Sequence, residues 1–268
     1  MGKVTISANH QSHTAKRPMS WLLTAWPRTD GLRRPWRRWV RLPLAAPASL
    51  CYLVIMWALF LSLAHKEGDI YTIDLEQVRP FVYSIPDLTA DPLRVGRALL
   101  TAPFLNHDSV QLVYISILVI LFGITFEMRE GSRRTIMFFA GGLVTGALGA
   151  GLLLHLLYPA VTDAPLYATA WARTWSGGSA GCFGVMGALA GRSRRPGPLL
   201  MALVLWDLNW PLLRAALTDK REPQFDLVWW HLPHSYTSAF HLIALAAGFL
   251  VMRYWLAPLL RARSAVTA

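Results

Sequence analysis

Ser179 sits among small residues in the stretch Ser176-Gly177-Gly178-Ser179-Ala180-Gly181-Cys182-Phe183-Gly184, which opens an apolar run. A second apolar run, about sixty residues on, carries His241 near its start. A serine hydroxyl attacks a carbonyl only when a base takes its proton, and histidine has the basicity for that near neutral pH. The two residues therefore suggest a nucleophile and its general base, provided that the chain holds them together. No Asp or Glu matches them in depth within their own two runs, so the expectation is a Ser-His dyad.

Both runs must cross a membrane for this pairing to arise. Hydrophobic residues make up 54% of the 268 and charged residues only 15%, against roughly 25% charged in a soluble domain. Six apolar runs are expected as spans, at residues 43–64, 99–126, 135–158, 176–191, 198–217 and 237–257. The loop at 65–97 is acidic, and the fourth span is short and rich in glycine. The reading is an all-α membrane protein. A basic Trp/Arg-rich cytoplasmic tail at 1–41 precedes a six-helix membrane domain at 42–260, and a short tail at 261–268 follows it.

Arginine placement supports an even count. Arg129, Arg133 and Arg134 follow the second span, Arg192, Arg194 and Arg195 the fourth, and Arg261 and Arg263 the sixth. With the N-terminal tail inside, all of these clusters fall inside, as the positive-inside rule asks, and both termini are cytoplasmic. Trp171, Trp175, Trp229 and Trp230 then lie in outer loops, as expected of an interfacial aromatic belt. The same placement explains the net charge of +11 without nucleic acid. Cys51 and Cys182 lie in apolar runs and have no metal-site spacing. His231 and His234 lack further ligands. No metal and no cofactor are expected.

Depth brings serine and histidine together. Spans four and six both run inward. Ser179 stands roughly 20 Å of helix from Arg192, and His241 roughly 18 Å from Arg253. Both lie about 10 Å below the outer edge of a roughly 30 Å hydrocarbon core. Ser179 is also in the first turn of its helix, where unpaired backbone N–H groups and a positive dipole suit an oxyanion. Gly177, Gly178 and Gly181 allow close backbone approach, and Gly184, Gly187, Ala188 and Gly191 continue a small face for helix packing. In the fifth span Asp207 and Asn209, with Pro211 and Arg214, read as a polar interior or kinking set. Gly177-x-Ser179-x-Gly181 also fits the nucleophile elbow of α/β-hydrolases. That elbow needs a preceding strand, and this setting argues against it.

With these residues in place the chain resembles the rhomboid intramembrane serine proteases over roughly residues 92–257. The block from Gly177 to Gly184 is similar to the family's G-x-S segment. His241-Leu242-Ile243-Ala244-Leu245-Ala246-Ala247-Gly248 is similar to its H-x-x-G-x-x-x-G, with Ala244 for the first glycine. Glu127-Met128-Arg129-Glu130-Gly131-Ser132 resembles its E-x-x-x-G-S turn. The resemblance implies a six-helix bundle, with Ser179 as nucleophile, His241 as base and Phe183 stacked on the histidine. In the second span Asn106, Gln111 and Ile115 stand where the family has two histidines and an asparagine, the last two helping to hold the oxyanion. The Gln111 amide can donate in that role; Ile115 cannot. His107 and Ser116, one position away, are alternative donors. Arg79-Pro80-Phe81 stands nearest to the tryptophan-arginine pair of the family's first loop. The implied activity is cleavage of transmembrane or juxtamembrane segments of membrane proteins, in the cell membrane. The departure at Ile115 leaves an alternative, a weak or inactive rhomboid-like protein that binds membrane helices without cutting them. Partners under either reading are transmembrane proteins and the lipid bilayer, with no nucleic acid.

Overall fold

Apolar runs in this chain become helices, as its backbone amides require wherever water is absent. The computed structural model describes residues 45–156, 174–218, 227–256 and 258, with side chains for all of these except 155–156, 210–218 and 227–236. The N-terminal tail, Trp171, the arginines at 261 and 263, and the side chains of Arg214, Trp229, Trp230, His231 and His234 lie outside the described residues.

Seven helices carry the argument: α1 (Pro47–Leu63), α2 (Pro92–Thr101), α3 (Ser109–Glu130), α4 (Ser132–Leu156), α5 (Ser179–Arg192), α6 (Pro196–Thr218) and α7 (Leu227–Leu250), the last continuing in wider turns over Val251–Leu256. Among the described residues three stretches are long and apolar enough to cross a membrane, Ser109–Glu130, Ser132–Leu154 and Thr237–Leu256, and Pro47–Leu63 is apolar but shorter. They mark an integral membrane protein. Large apolar side chains stay exposed on α1, α4, α6 and α7, as lipid-facing surfaces do.

The second span begins later than the apolar run suggests. Residues 99–104 belong to α2 and to the short 3-10 turn Ala102–Phe104. Asp91 starts α2 by accepting the Arg94 N–H at 3.0 Å, and Pro103 prevents its continuation. Asp108 then starts α3 by accepting the Gln111 N–H at 2.7 Å. At the other end of the chain, α7 begins at Leu227, earlier than its apolar stretch.

The loop before α2 is not without structure. It holds the hairpin β1 (His65–Glu67) and β2 (Ile70–Thr72), and the two-residue strand β3 (Tyr83–Ser84). β3 pairs with β4 (Thr174–Trp175), just ahead of the serine helix. Two arginines of α2 pin the loop: Arg94 donates to the Arg79 carbonyl at 2.8 Å and Arg97 to the Pro80 carbonyl at 3.0 Å. Arg97 also lies 5.6 Å from the Phe81 ring centre. The aromatic-arginine contact of this loop thus runs between Phe81 and Arg97.

At the end of α3 the Glu127 carboxylate is buried and accepts three bonds: from the Ala48 N–H (2.8 Å), the Ser49 N–H (2.8 Å) and the Ser132 hydroxyl (2.6 Å). A negative charge thereby caps the positive end of α1. Gly131 makes the turn between α3 and α4 at φ +84°, a conformation costly to other residues. This is the physical content of the Glu127-to-Ser132 motif: it ties three helices at one point.

α5 lies at the centre, packed between α4 and α7. Its small face permits backbone contact. A Cβ on Gly248 of α7 would fall 2.0 Å from the Gly184 carbonyl oxygen, and one on Gly187 would fall 2.0 Å from that of Leu245. Ala244 fits where a glycine was expected because Gly146 faces it; a Cβ there would sit 3.5 Å from that of Ala244.

Candidate active site

α5 has 14 residues, about 21 Å of helix, well short of a roughly 30 Å hydrocarbon core. Its N-terminus lies within the protein, with Gly178 and Ala180 buried on either side of Ser179. Ser179 is its first residue, half-buried, and the first backbone bond of the helix runs from the Cys182 N–H to the Gly178 carbonyl. The N–H groups before it have no partner within the helix.

The loop entering this helix is held on several sides. Gly177, at φ +94°, donates its N–H to the Ala102 carbonyl at 2.8 Å. A Cβ there would strike the Gln111 amide nitrogen at 2.7 Å. Trp175 stacks on Phe240 with ring centres 4.7 Å apart, and Tyr83 meets the same ring edge-on at 6.0 Å. The Tyr83 hydroxyl donates to the Ala147 carbonyl at 3.0 Å. Burial, with Asp87 nearby, pushes that hydroxyl above its ordinary range, so it stays a donor.

Against this frame α7 delivers His241. Its Nε2 is 2.7 Å from the Ser179 Oγ. Phe183, one turn along α5, lies under the imidazole with ring centres 4.3 Å apart and planes 3° from parallel. Histidine and phenylalanine are both buried, so the ring is fixed between its neighbours. Serine and histidine, 62 positions apart in the chain, are thus in direct contact.

The ring has a third neighbour. Asp207 of α6 places Oδ1 2.5 Å from His241 Nδ1. The expected dyad is therefore geometrically a chain of three, Asp207-His241-Ser179. Asp207, read from sequence as part of a polar or kinking set, bonds to the histidine, whereas Asn209 donates to the Leu205 carbonyl of its own helix at 2.7 Å. A signal for Asp207 was present. It stands twelve positions after Arg195, roughly 18 Å of helix, the same depth as the other two residues.

The oxyanion candidates separate. Gln111 donates its amide nitrogen to the Ser176 carbonyl at 3.0 Å and accepts the His107 N–H at 2.7 Å. These two partners fix the orientation of the amide and leave one of its hydrogens over. Ile115 is fully buried. Ser116 turns away: its hydroxyl donates to the Leu112 carbonyl at 2.8 Å and accepts from the Trp57 indole at 3.0 Å. A cavity of about 220 Å³ is lined by Ser179, His241, Gln111, His107, Trp175 and Phe240 among others, and neither Ile115 nor Ser116 lines it. Asn106 is buried and does not line it.

A partly buried serine bonded to an oriented histidine, at a helix start beside a cavity, is equipped for nucleophilic attack on a carbonyl. A family model described as the Rhomboid domain matches residues 94–257, well over half of the chain. Among curated proteins and solved structures none gives a significant match.

Proposed function

Because the chain belongs to the rhomboid family, we propose that it is an intramembrane serine endopeptidase of the cell membrane, acting on transmembrane or juxtamembrane segments of other membrane proteins. The observation that carries this reading is the 2.7 Å contact between Ser179 Oγ and His241 Nε2. In the proposed reaction the Ser179 oxygen attacks the scissile carbonyl carbon while its proton passes to His241 Nε2. The tetrahedral oxyanion is held by the Ser179 backbone N–H and the remaining Gln111 amide hydrogen. Collapse of that intermediate expels the amine, which takes the proton from His241. Water then repeats the sequence on the acyl-enzyme and frees the serine.

The topology that goes with it has six spans, α1 and α3 to α7, with both termini cytoplasmic. The arginine clusters support this arrangement. The short α5 opens toward the outer side in it, and α6 forms the lateral entry for a substrate helix.

Ile115 favours a second reading, a rhomboid-like protein that binds membrane helices without cutting them. Loss of one oxyanion donor costs about a hundred- to a thousandfold in rate. One experiment separates the two. Wild type in proteoliposomes cleaves a generic transmembrane-segment substrate and takes a fluorophosphonate label; Ser179→Ala does neither. Equal labelling of both proteins removes Ser179 as the nucleophile. Binding of the substrate helix without cleavage selects the second reading.

A further inference from the structure

We infer that Asp207 is a positioning residue for His241, so that this chain works with a Ser-His-Asp triad whose third member comes from α6. The inference rests on the protease reading of Ser179 and His241.

Three observations carry it. First, α6 is apolar and outward-facing around this position: Leu205, Trp206 and Leu208 are exposed, while Asp207 is only 2% exposed. One residue of that stretch is turned inward, and it is a carboxylate. Second, a carboxylate away from water is costly unless it is partnered. Oδ1 meets His241 Nδ1, and Oδ2 has no hydrogen-bond partner among the described residues. The contact with the imidazole is the one hydrogen bond of this carboxylate among the described residues. Third, the bond decides which ring nitrogen carries the proton. An ionised carboxylate only accepts, so Nδ1 holds the hydrogen and Nε2 presents its lone pair to the Ser179 hydroxyl. That is the tautomer a general base needs. When Nε2 takes the serine proton, Asp207 stays ionised and faces the imidazolium that forms.

The imidazole is then oriented from two directions, by the Phe183 ring on its face and by Asp207 on its edge. Serine, base and orienting carboxylate come from α5, α7 and α6 respectively. The base is correctly set only while α6 lies against α7.

The test uses the full-length protein in detergent micelles and a fluorogenic transmembrane-segment peptide. Asp207→Asn keeps the size of the side chain but can donate to Nδ1 and so favour the wrong tautomer. It is expected to lower kcat by about a hundredfold or more with KM within about twofold. Asp207→Glu, which can still accept from Nδ1, is expected to recover part of kcat. In protein labelled with 15N-histidine, wild type is expected to show a downfield Nδ1–H proton resonance that Asp207→Asn lacks. Thermal unfolding of each variant is followed in parallel. A kcat within threefold of wild type in Asp207→Asn overturns the inference. So does a loss in both variants that merely tracks their thermal stability, or a downfield resonance unchanged by the substitution. If Ser179→Ala cleaves as well as wild type, the protease reading fails on its own, and the histidine resonance still decides whether Asp207 orients the ring.

Discussion

Under the protease reading, Gln111 and Ile115 govern how well the oxyanion is held. The Gln111 amide is already bonded to Ser176 and His107, so its orientation is set before any substrate arrives and one hydrogen is left to give. Gln111→Leu is expected to lower kcat about a hundredfold, measured with the same transmembrane peptide. Ile115 lies close by: a Cβ on Gly177 would be 3.0 Å from its Cδ1. Ile115→Asn would place an amide donor there, and a rise in kcat of roughly tenfold or more is expected. No rise would mean that the oxyanion has all its donors already. Ser179 and His241 were legible in the sequence because type, spacing and membrane depth agreed for both, whereas Phe183 was legible only through the resemblance. Asp207 escaped because it is on a third helix, and a lone acid in an apolar run reads equally well as a kink or an interior pair.

Among the helices, the small faces of α4, α5 and α7 decide whether the site forms at all. A methyl group on Gly248 would meet the Gly184 carbonyl oxygen at 2.0 Å, a contact with backbone that no rotamer relieves. Gly248→Ala is expected to destabilise by about 1–3 kcal/mol and to move His241 off Ser179, read as a lower Tm and lost fluorophosphonate labelling. Gly96→Ala is the control, because a Cβ there meets nothing within 4 Å. It is expected to leave Tm unchanged or slightly raised. Glu127→Ala removes the cap of α1 and strands two backbone N–H groups, at a cost on the order of 1–3 kcal/mol, checked by thermal unfolding with Glu127→Gln alongside. α4, α5 and α6 fall close to the bounds read from apolar run length. The start of α3 did not, because Pro103 and Asp108 set it while the apolar run continued through them. The start of α7 did not either, because an apolar window stops where a helix turns polar. The short strands β3 and β4 have no periodic signature at two residues each, and only the fold brings them together.

For the molecule as a whole the membrane topology is the property to test. In a cysteine-free background, Arg129→Cys and Arg194→Cys are expected to react with an impermeant maleimide only from the cytoplasmic side, and Asp69→Cys only from the other. Any exchange of sides would break the six-span arrangement. The reach of the Ser179–His241 contact has a further consequence, for biosynthesis. The two residues are 62 positions apart, and helices leave the ribosome in order. At about 5–20 residues per second, Ser179 is made roughly 3–12 s before His241 is synthesised. Throughout that interval the nascent chain carries a serine with no base, next to a translocation machinery crowded with other membrane segments. Under the protease reading, insertion of the last helix is the step that completes the Ser179–His241 pair, and every earlier intermediate is chemically silent.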